Sequence, residues 1–506
     1  MNVAVNLERA AFHFSNHIAV FEDDKQVTYR QFNQEANRFA SALMRSGVCP
    51  GDHVAICMPN SFTWLAVYYG ILKTGAVAVT LPTVLFEHEL MKLMMDCQPK
   101  VLFIDSAKQG YFDRFKQNIE LNLIVSDAGG DLTFESFSAK GSTVFKTIDR
   151  DPNDTCAILY TGGTTGLPKG AMLSHLNIST SLYNVAHNER SEPSDIALCF
   201  LPLNHVFAQI HIVQSTVFSC GALVVLPCFD MDRIFEVIHR YGITKFYAVP
   251  TIYIRFLRHE NLKEKLGSVR YCFSAATSMA TEIIHEWKTR TGLNIYEAYG
   301  MTESASMVSY NHYYRHVIGS VGTPVNLVEI KIMDAEGNEV EQGNTGEICI
   351  RGPNMTKGYL KNGAESQKAF WGGWFRSGDV GRFDEDGYLY IVDRLKDMII
   401  TGGENVYPRE IEELLYTCEE VLECAVVGFP DKEYGERVTA VVVTKDNMHL
   451  DKKSLKMYLK SRLAGYKVPK EYIVVDELPK NSTGKILKRE INPGQINRYI
   501  DCRKDN

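Results

Sequence analysis

The chain has 506 residues, 45% of them hydrophobic and 23% charged, which are ordinary proportions for a globular protein with more than one domain. The formal net charge of −7 argues against nucleic-acid binding as a main role. Twelve cysteines form no C-x-x-C pair, and the first residues lack the apolar run of a signal peptide. We therefore expect a cytoplasmic protein with reduced thiols.

The first quarter of the chain alternates between helix and strand patterns. Thr28 to Gln31 reads as a capping box that begins a helix, and Gly47 lies where a glycine ends one. Buried strands are predicted over 54–58, 76–81, 101–104 and 123–125, with a helix over 64–74. Such alternation is typical of α/β layers built on largely parallel sheets.

The next notable stretch is a glycine-rich loop at 160–170, YTGGTTGLPKG. It follows the apolar run 156–159, which reads as a buried strand. Its hydroxyls, its exposed N–H groups and Lys169 suit phosphate oxygens. It is not a Walker A loop, because Pro168 and Gly170 stand where that motif needs Gly and Ser or Thr. Taken alone, the loop is a nucleotide-binding segment or a flexible surface turn.

The longest uncharged stretch covers residues 198–229. Polar side chains, including Asn204 and His205, and two prolines interrupt it. We predict a buried helix followed by a buried strand over 222–226, and no membrane span.

The second half changes character twice. Helix and strand alternate up to residue 291, and from Gly319 short strands separated by turn signals predict a β-rich subdomain. A boundary is predicted near 393–397, and beyond it Pro408 marks the first position of a helix in a compact α+β segment. The predicted fold is α/β. A large N-terminal domain over 1–393 carries layered parallel sheets, helices and the β-rich subdomain, and a small mobile α+β domain covers 394–506.

Six separated motifs then occur in a recognisable order: YTGGTTGLPKG at 160–170, YGMTE at 299–303, SGD at 377–379, DRLKD at 393–397, GGENVYP at 402–408 and NSTGK at 481–485. In these motifs the chain resembles the acyl-adenylate-forming superfamily, and in particular AMP-forming acyl-CoA synthetases. The resemblance runs from about residue 27 to Lys485. The TGG form of the loop, with Gly162 where Ser is usual, is most similar to bacterial medium- and long-chain fatty acid–CoA ligases.

The resemblance implies an acid–thiol ligase. ATP and a carboxylic acid would give acyl-AMP and pyrophosphate, and the acyl group would pass to coenzyme A, with Mg²⁺ assisting. The small domain would swing about a hinge near Lys396 between the two steps. Small molecules are the expected partners, with no nucleic acid and no transmembrane segment. Peripheral membrane contact and a homodimer stay open.

The resemblance also assigns residues to roles. Lys485 would bridge the attacking carboxylate and the α-phosphate, Thr302 would donate to that phosphate, and His205 would border the acyl site. Glu303 would hold Mg²⁺, a cation that prefers carboxylate and phosphate oxygens. The nucleotide and CoA would be bound by Thr161, Gly162, Gly163, Thr164, Thr165, Gly166, Lys169, Tyr299, Gly300, Asp379, Arg394, Gly402, Gly403 and Glu404.

The identity of the acid is the remaining question. The uncharged run 210–217 suits an alkyl or aryl tail, and the sequence shows no obvious Asp near His205 to pair with an amino group. A medium- or long-chain fatty acid is therefore expected. An aryl or alicyclic carboxylate–CoA ligase is the first alternative, and a stand-alone adenylation enzyme that loads a carrier protein is the second.

Overall fold

A computed structural model describes residues 1–161, 168–445, 448–481 and 484–494 of the chain. Within these ranges every helix is too short or too polar to traverse a lipid bilayer. The eleven cysteines in these ranges are all unpaired. The fold is α/β, and four sheets organise it.

The first sheet has seven strands and is built mainly from the first third of the chain. Its inner strands are parallel, and only the last pair is antiparallel. In spatial order the strands are Leu132–Thr133, Leu123–Ser126, Val101–Ile104, His53–Cys57, Val77–Thr80, Thr155–Thr161 and Lys169–Ser174. The predicted parallel layer is confirmed, and the glycine-rich segment joins the two antiparallel strands at its edge.

The second sheet has nine strands, with a parallel centre and antiparallel edges. In spatial order they are Thr323–Pro324, Ser306–Tyr310, Ile295–Met301, Tyr271–Ser274, Lys245–Ala248, Ile196–Cys199, Ala222–Val225, Ile18–Glu22 and Lys25–Thr28. Side chains from both large sheets and the helices between them share one extensive hydrophobic core. Strands buried on both faces explain the continuous apolar runs of the sequence.

The β-rich subdomain is a wholly antiparallel five-stranded sheet. It contains Glu329–Met333, Gly346–Arg351, Trp374–Phe383, Phe370–Trp371 and Leu389–Arg394. The fourth sheet lies in the C-terminal part and has its own core. It contains Glu404–Val406, Ile399–Thr401, Gly435–Thr444, Val421–Asp431 and Glu471–Val474.

The helices surround these sheets. The α-helices are Val5–His13, Tyr29–Arg45, Phe62–Lys73, Glu87–Cys97, Phe112–Asn118, Phe134–Ser138, His175–Asn188, Ser215–Phe218, Met231–Tyr241, Pro250–Phe256, Leu262–Lys265, Thr281–Thr291, Gly363–Lys368, Pro408–Tyr416 and Lys452–Lys460. Short 3₁₀ segments cover Ser106–Tyr111, Thr302–Ser304, Leu395–Asp397, Gly465–Lys467 and Lys488–Glu490.

Local signals placed several helix ends correctly. Thr28 and Gln31 form the predicted capping box at the start of Tyr29–Arg45, and Gly47 follows that helix with φ +83°. Pro408 is the first residue of its helix. A backbone N–H left unpaired at a helix start must find an acceptor, and here the N–H of Arg409 donates to the Asp393 carboxylate at 2.9 Å. The cap thus comes from the strand before the predicted domain boundary.

The long uncharged stretch folds into the helical and strand segments that were predicted for it, with one difference. Its helix opens as a π-helix over Phe207–Gln214 before a short α-helical turn. The strand Ala222–Val225 follows in the nine-stranded sheet. π-Helical turns often occur at functional sites, and this one begins two residues after His205.

Candidate functional site

Asp379 lies at the centre of the candidate site. It sits on Trp374–Phe383 directly opposite Arg394 of the neighbouring antiparallel strand. Arg394 Nε donates to Asp379 Oδ1 at 2.6 Å, and the Tyr299 hydroxyl donates to Oδ2 at 2.6 Å. Asp379 is only 5% exposed, so the charged guanidinium compensates a carboxylate that would otherwise be costly to bury.

These contacts join three separate motifs. Asp379 raises the pKa of Arg394 above its usual value, and burial, with Asp379 second, raises the pKa of the Tyr299 phenol. Both side chains therefore keep their protons at neutral pH. A carboxylate has about four lone-pair positions, so Asp379 retains acceptor capacity for the two hydroxyls of a ribose.

Gly300 has a steric role in this site. A Cβ built on Gly300 would lie 2.0 Å from the Ser306 carbonyl oxygen, because the strand Ser306–Tyr310 folds back on Ile295–Met301 there. The turn between the two strands is the 3₁₀ segment Thr302–Ser304. The glycine therefore lets the turn that carries Thr302 and Glu303 close tightly.

Glu303 is partly buried and accepts a hydrogen bond from the Tyr359 hydroxyl at 2.9 Å. Burial raises its pKa, so a nearby cation would favour its ionised form. Among the described residues no group of three acidic, histidine or cysteine side chains could hold a metal by itself. One carboxylate that shares its ion with phosphates and water is nevertheless a common Mg²⁺ arrangement, and Glu303 fits it.

The glycine-rich loop is described only at its two ends. Gly162, Gly163, Thr164, Thr165 and Gly166, which were predicted to bind phosphate, lie outside the described residues. Thr161 and Lys169 are opposite each other in the antiparallel pair that flanks the loop. Any ligand of this loop would therefore lie near Thr161 and Lys169, at the end of the strand pair that the loop connects.

Lys169 has an ion-pair partner that the sequence did not reveal. Its ammonium contacts the Glu365 carboxylate and lies 5.2 Å from the centre of the Tyr359 ring. The hydrogen bond from Lys169 is the main reason why the pKa of Glu365 is lowered. Because Tyr359 also reaches Glu303, this group of side chains links the loop to the YGMTE turn.

Lys485 reaches this site from the C-terminal part of the chain. Its Nζ donates to the Ala276 carbonyl at 3.3 Å. Burial, followed by repulsion from Arg394, lowers the pKa of Lys485 from 10.5 to about 8. Ala276 has a φ of +75°, a conformation that is unusual for alanine and that occurs where this carbonyl meets the lysine.

His205 lies near Lys485. Burial, with the Lys485 charge second, lowers the pKa of His205 to about 4, so its imidazole is neutral at physiological pH. Its Nδ1 accepts a hydrogen bond from the Phe207 N–H at 3.3 Å. The structure therefore brings together five predicted residues from distant parts of the sequence: Lys485, His205, Asp379, Arg394 and Tyr299.

Gly402, Gly403 and Glu404 are placed elsewhere. All three are exposed, and the Gly402 N–H donates to the Tyr434 carbonyl within the C-terminal part. Lys396, the predicted hinge, is part of a 3₁₀ segment, and burial followed by Arg394 lowers its pKa. This conformation thus presents Lys485 to the site and leaves the glycine segment in solvent.

The helix Phe207–Gln214 packs in surroundings that are less apolar than its own sequence suggests. Glu189, from the preceding helix boundary, is fully buried against it and contacts His211 at 2.7 Å and Lys245 at 3.0 Å. Burial alone would raise the pKa of Glu189, but Lys245 and His211 lower it to about 2. The uncharged run therefore packs on a compensated buried ion pair, which sequence periodicity gave no means of finding.

Comparison with protein families gives two matches. The AMP-binding enzyme family matches residues 7–360, and the AMP-binding enzyme C-terminal domain matches residues 410–485. Among curated proteins, the long-chain-fatty-acid–CoA ligase of Bacillus subtilis (strain 168) is 33% identical over 96% of this chain and 93% of its own length. The feruloyl-CoA synthase of an Amycolatopsis species is 34% identical over 94% of this chain and 95% of its own length.

Solved structures are also similar to this chain. ATP-bound MatB from Rhodopseudomonas palustris superposes with a TM-score of 0.92, at 33% identity, over 99% of this chain and all of that chain. The apo structure of the same protein, over the same shares of the two chains, gives a TM-score of 0.82. The conformation described here is thus more similar to the nucleotide-bound form.

Proposed function

The chain belongs to the AMP-binding enzyme family, and on that premise we propose that it is an acyl-CoA ligase that activates a hydrophobic carboxylic acid with ATP. The resemblance to AMP-forming acyl-CoA synthetases seen in its motifs is confirmed by its relatives. The observation that carries the proposal is the convergence of Lys485, Asp379, Arg394 and Tyr299, which come from four separate sequence motifs.

In the first step a carboxylate attacks the α-phosphate of ATP, so two anions must approach each other. We propose that the Lys485 ammonium lies between them, with the Thr302 hydroxyl donating to the same phosphate. Lys485 is partly buried, and fixed charges act strongly in such places. Asp379 would accept hydrogen bonds from the ribose hydroxyls, and Arg394 would hold the Asp379 carboxylate in place.

Glu303 is the proposed ligand of Mg²⁺, which would neutralise charge on the phosphates when bound. Thr161, Lys169 and the five loop residues between them are proposed to hold the departing pyrophosphate. Lys169 is already paired with Glu365, so its proposed role is to order the loop end or to contact phosphate, and no essential role is assigned to it. His205, neutral and beside Lys485, is proposed to border the acid.

In the second step the thiol of coenzyme A attacks the acyl carbon and AMP leaves. We propose that the domain from residue 394 onward rotates about Lys396 for this step. That rotation would withdraw Lys485 and bring Gly402, Gly403 and Glu404 towards the site. Their exposure in the present conformation is compatible with such a movement. Domain motion of this kind gates the reaction without taking part in the chemistry.

A medium- or long-chain fatty acid is the proposed substrate. Its support is the buried apolar residues of the helix that follows His205, among them Phe207, Ile210 and Val213, together with the relationship to the Bacillus subtilis enzyme. An aryl acid is the second candidate, because the feruloyl-CoA synthase is equally similar. A panel of acids from acetate to palmitate, with benzoate and ferulate, assayed for AMP release with and without coenzyme A, would decide between them.

The first prediction concerns the separation of the two steps. We expect Lys485→Ala to lower acid-dependent ATP–pyrophosphate exchange by about 100-fold or more, because a positioned cation is lost from the transition state. The variant should still convert supplied acyl-AMP and coenzyme A to the thioester at close to the wild-type rate.

One outcome would contradict the prediction for Lys485, and another would contradict the ligase function itself. Full exchange activity in the variant would remove Lys485 from the first step. AMP release by the wild type without any thioester, at every concentration of coenzyme A, would exclude the ligase function and favour transfer to a carrier protein.

A further inference from the structure

The residue before Lys485 is hydrogen-bonded to the N-terminal part of the chain. The Thr251 hydroxyl donates to the Gly484 carbonyl at 3.2 Å. Thr251 is only 7% exposed and lies in the helix Pro250–Phe256, which follows a central strand of the nine-stranded sheet. The donor therefore belongs to a buried helix of the N-terminal part.

The packing at this contact is close. A Cβ built on Gly484 would lie 3.0 Å from Thr251 Oγ1 and 3.3 Å from Val249 Cγ2. Gly484 has a φ of +87°, a conformation that glycine adopts readily and other residues do not. Because Gly484 has no side chain, its carbonyl can approach Thr251 closely enough to accept the hydrogen bond.

The described residues on either side of positions 482 and 483 are hydrogen-bonded to each other, so the chain turns between Asn481 and Gly484. The Gly484 N–H donates to the Asn481 carbonyl, and the Lys485 N–H donates to the Asn481 side chain, both at 2.9 Å. Lys480 and Ile486 pair as an isolated antiparallel bridge across the turn. Because the turn is constrained in this way, fixing the Gly484 carbonyl also fixes the direction in which the Lys485 side chain leaves the backbone.

We propose that Thr251 is a positioning residue for the first step, whose hydroxyl holds the Gly484 carbonyl and thereby seats Lys485 against Ala276 and His205. The inference rests on the proposed function, because it assigns Thr251 to the acyl-AMP-forming arrangement of the C-terminal domain. Rotation of that domain for the second step would break this hydrogen bond. Thr251 should consequently affect the first half-reaction and not the second.

The test compares Thr251→Val with Thr251→Ser in both half-reactions. Valine keeps the shape of threonine and removes the donor, whereas serine keeps the donor. We expect Thr251→Val to lower ATP–pyrophosphate exchange about three- to tenfold, the effect of losing one hydrogen bond, and to leave thioester formation from supplied acyl-AMP unchanged. Thr251→Ser should restore exchange to near the wild-type rate.

Thr289→Val is the matched control. Its hydroxyl donates to the His285 carbonyl on the exposed face of the helix Thr281–Thr291, so the same substitution there should change neither half-reaction. Gly484→Ala removes the contact from the other side and serves as the second variant if Thr251→Val does not fold. It should likewise reduce exchange and preserve thioester formation.

A chemical measurement makes the test independent of activity. The wild type and each variant are acetylated briefly without substrates, and labelling of Lys485 is measured by peptide mass spectrometry relative to the exposed Lys432. Losing the Thr251 hydroxyl should raise Lys485 labelling about threefold or more, and serine should prevent the increase.

The inference is overturned if Thr251→Val leaves Lys485 labelling at the wild-type level, or if it slows both half-reactions equally and serine does not restore them. Absence of exchange with every acid in the wild type would instead refute the proposed function. The labelling comparison would then still decide whether Thr251 seats Lys485.

Discussion

At the scale of single residues, the site depends on side chains whose pKa values the fold moves away from their ordinary values. Burial, with Arg394 second, lowers the pKa of Lys485 to about 8. The negative charge of Asp379 acts against this and raises the pKa of Lys485. Lys485 is therefore mostly protonated at neutral pH but loses its proton in a range where an ordinary lysine would keep it. If the Lys485 cation is needed for acyl-AMP formation, activity must follow that titration.

We predict that kcat/KM for acid-dependent pyrophosphate exchange falls about tenfold between pH 7 and pH 9. The ammonium form disappears as pH rises through about 8, and kcat/KM reports the free enzyme. Lys485→Arg is the control, since a guanidinium does not titrate in this range, and its profile should be flatter although its rate is lower. A wild-type profile that stays level to pH 10 would contradict the assignment.

At the scale of elements, the hairpin of Ile295–Met301 and Ser306–Tyr310 builds the turn that holds Thr302 and Glu303. The pairing shifts register between Tyr299 and Gly300, and the Ser306 carbonyl leaves no room for a Cβ on Gly300. A motif glycine in a nucleotide-binding family suggests contact with the nucleotide. Here the packing of the two strands already requires a residue without a side chain.

We predict that Gly300→Ala destabilises the protein by about 3 kcal/mol or more. The added carbon would lie 2.0 Å from a backbone carbonyl, and overpacking against groups that cannot move is costly. Urea unfolding measures the effect. Gly363→Ala is the matched control, because its Cβ would meet no atom within 4 Å, and alanine in a helix should be neutral or stabilising by about 0.5–1 kcal/mol. Equal midpoints for both variants would refute the steric explanation.

At the scale of the whole molecule, a buried carboxyl lies where the C-terminal part approaches the nine-stranded sheet. Glu297 is 4% exposed, and its Oε2 has no hydrogen-bond partner among the described residues. Burial raises its pKa to about 7, although the Arg409 guanidinium of the C-terminal part favours the charged form. Arg409 also contacts Asp393 and the Ile391 carbonyl, so one arginine links the two parts of the chain.

We predict that Glu297→Gln is more stable than the wild type by about 3 kcal/mol at pH 8 and by less than about 1 kcal/mol at pH 5. Well below pH 4.5, the ordinary pKa of this carboxyl, it is protonated whether the chain is folded or unfolded. As pH rises from 4.5 to 7 the unfolded chain ionises first, so the wild type loses stability that the amide retains. Urea unfolding at both pH values gives the difference, and an equal gain at pH 5 and pH 8 would contradict the prediction.

Many of the helix ends and strand positions could be predicted from the sequence, because the patterns that determine them extend over only a few residues. The capping box at Thr28, the proline at 408 and the apolar runs of the central strands fixed helix ends and strand positions through local hydrogen bonding and side-chain period. The order of the motifs indicated the family, which the comparisons confirm. The domain boundary at 393 and the roles of the site residues stay predictions.

The tertiary structure alone decided which of those residues meet. Tyr299 and Asp379 are 80 positions apart and Lys485 and Ala276 are 209 apart, and no local pattern determines contacts at such separations. The same holds for Tyr359 beside Glu303, Glu365 beside Lys169, and Thr251 beside Gly484. Their side chains interact because sheets and helices pack in one arrangement, which depends on the burial of the whole core and not on any segment by itself.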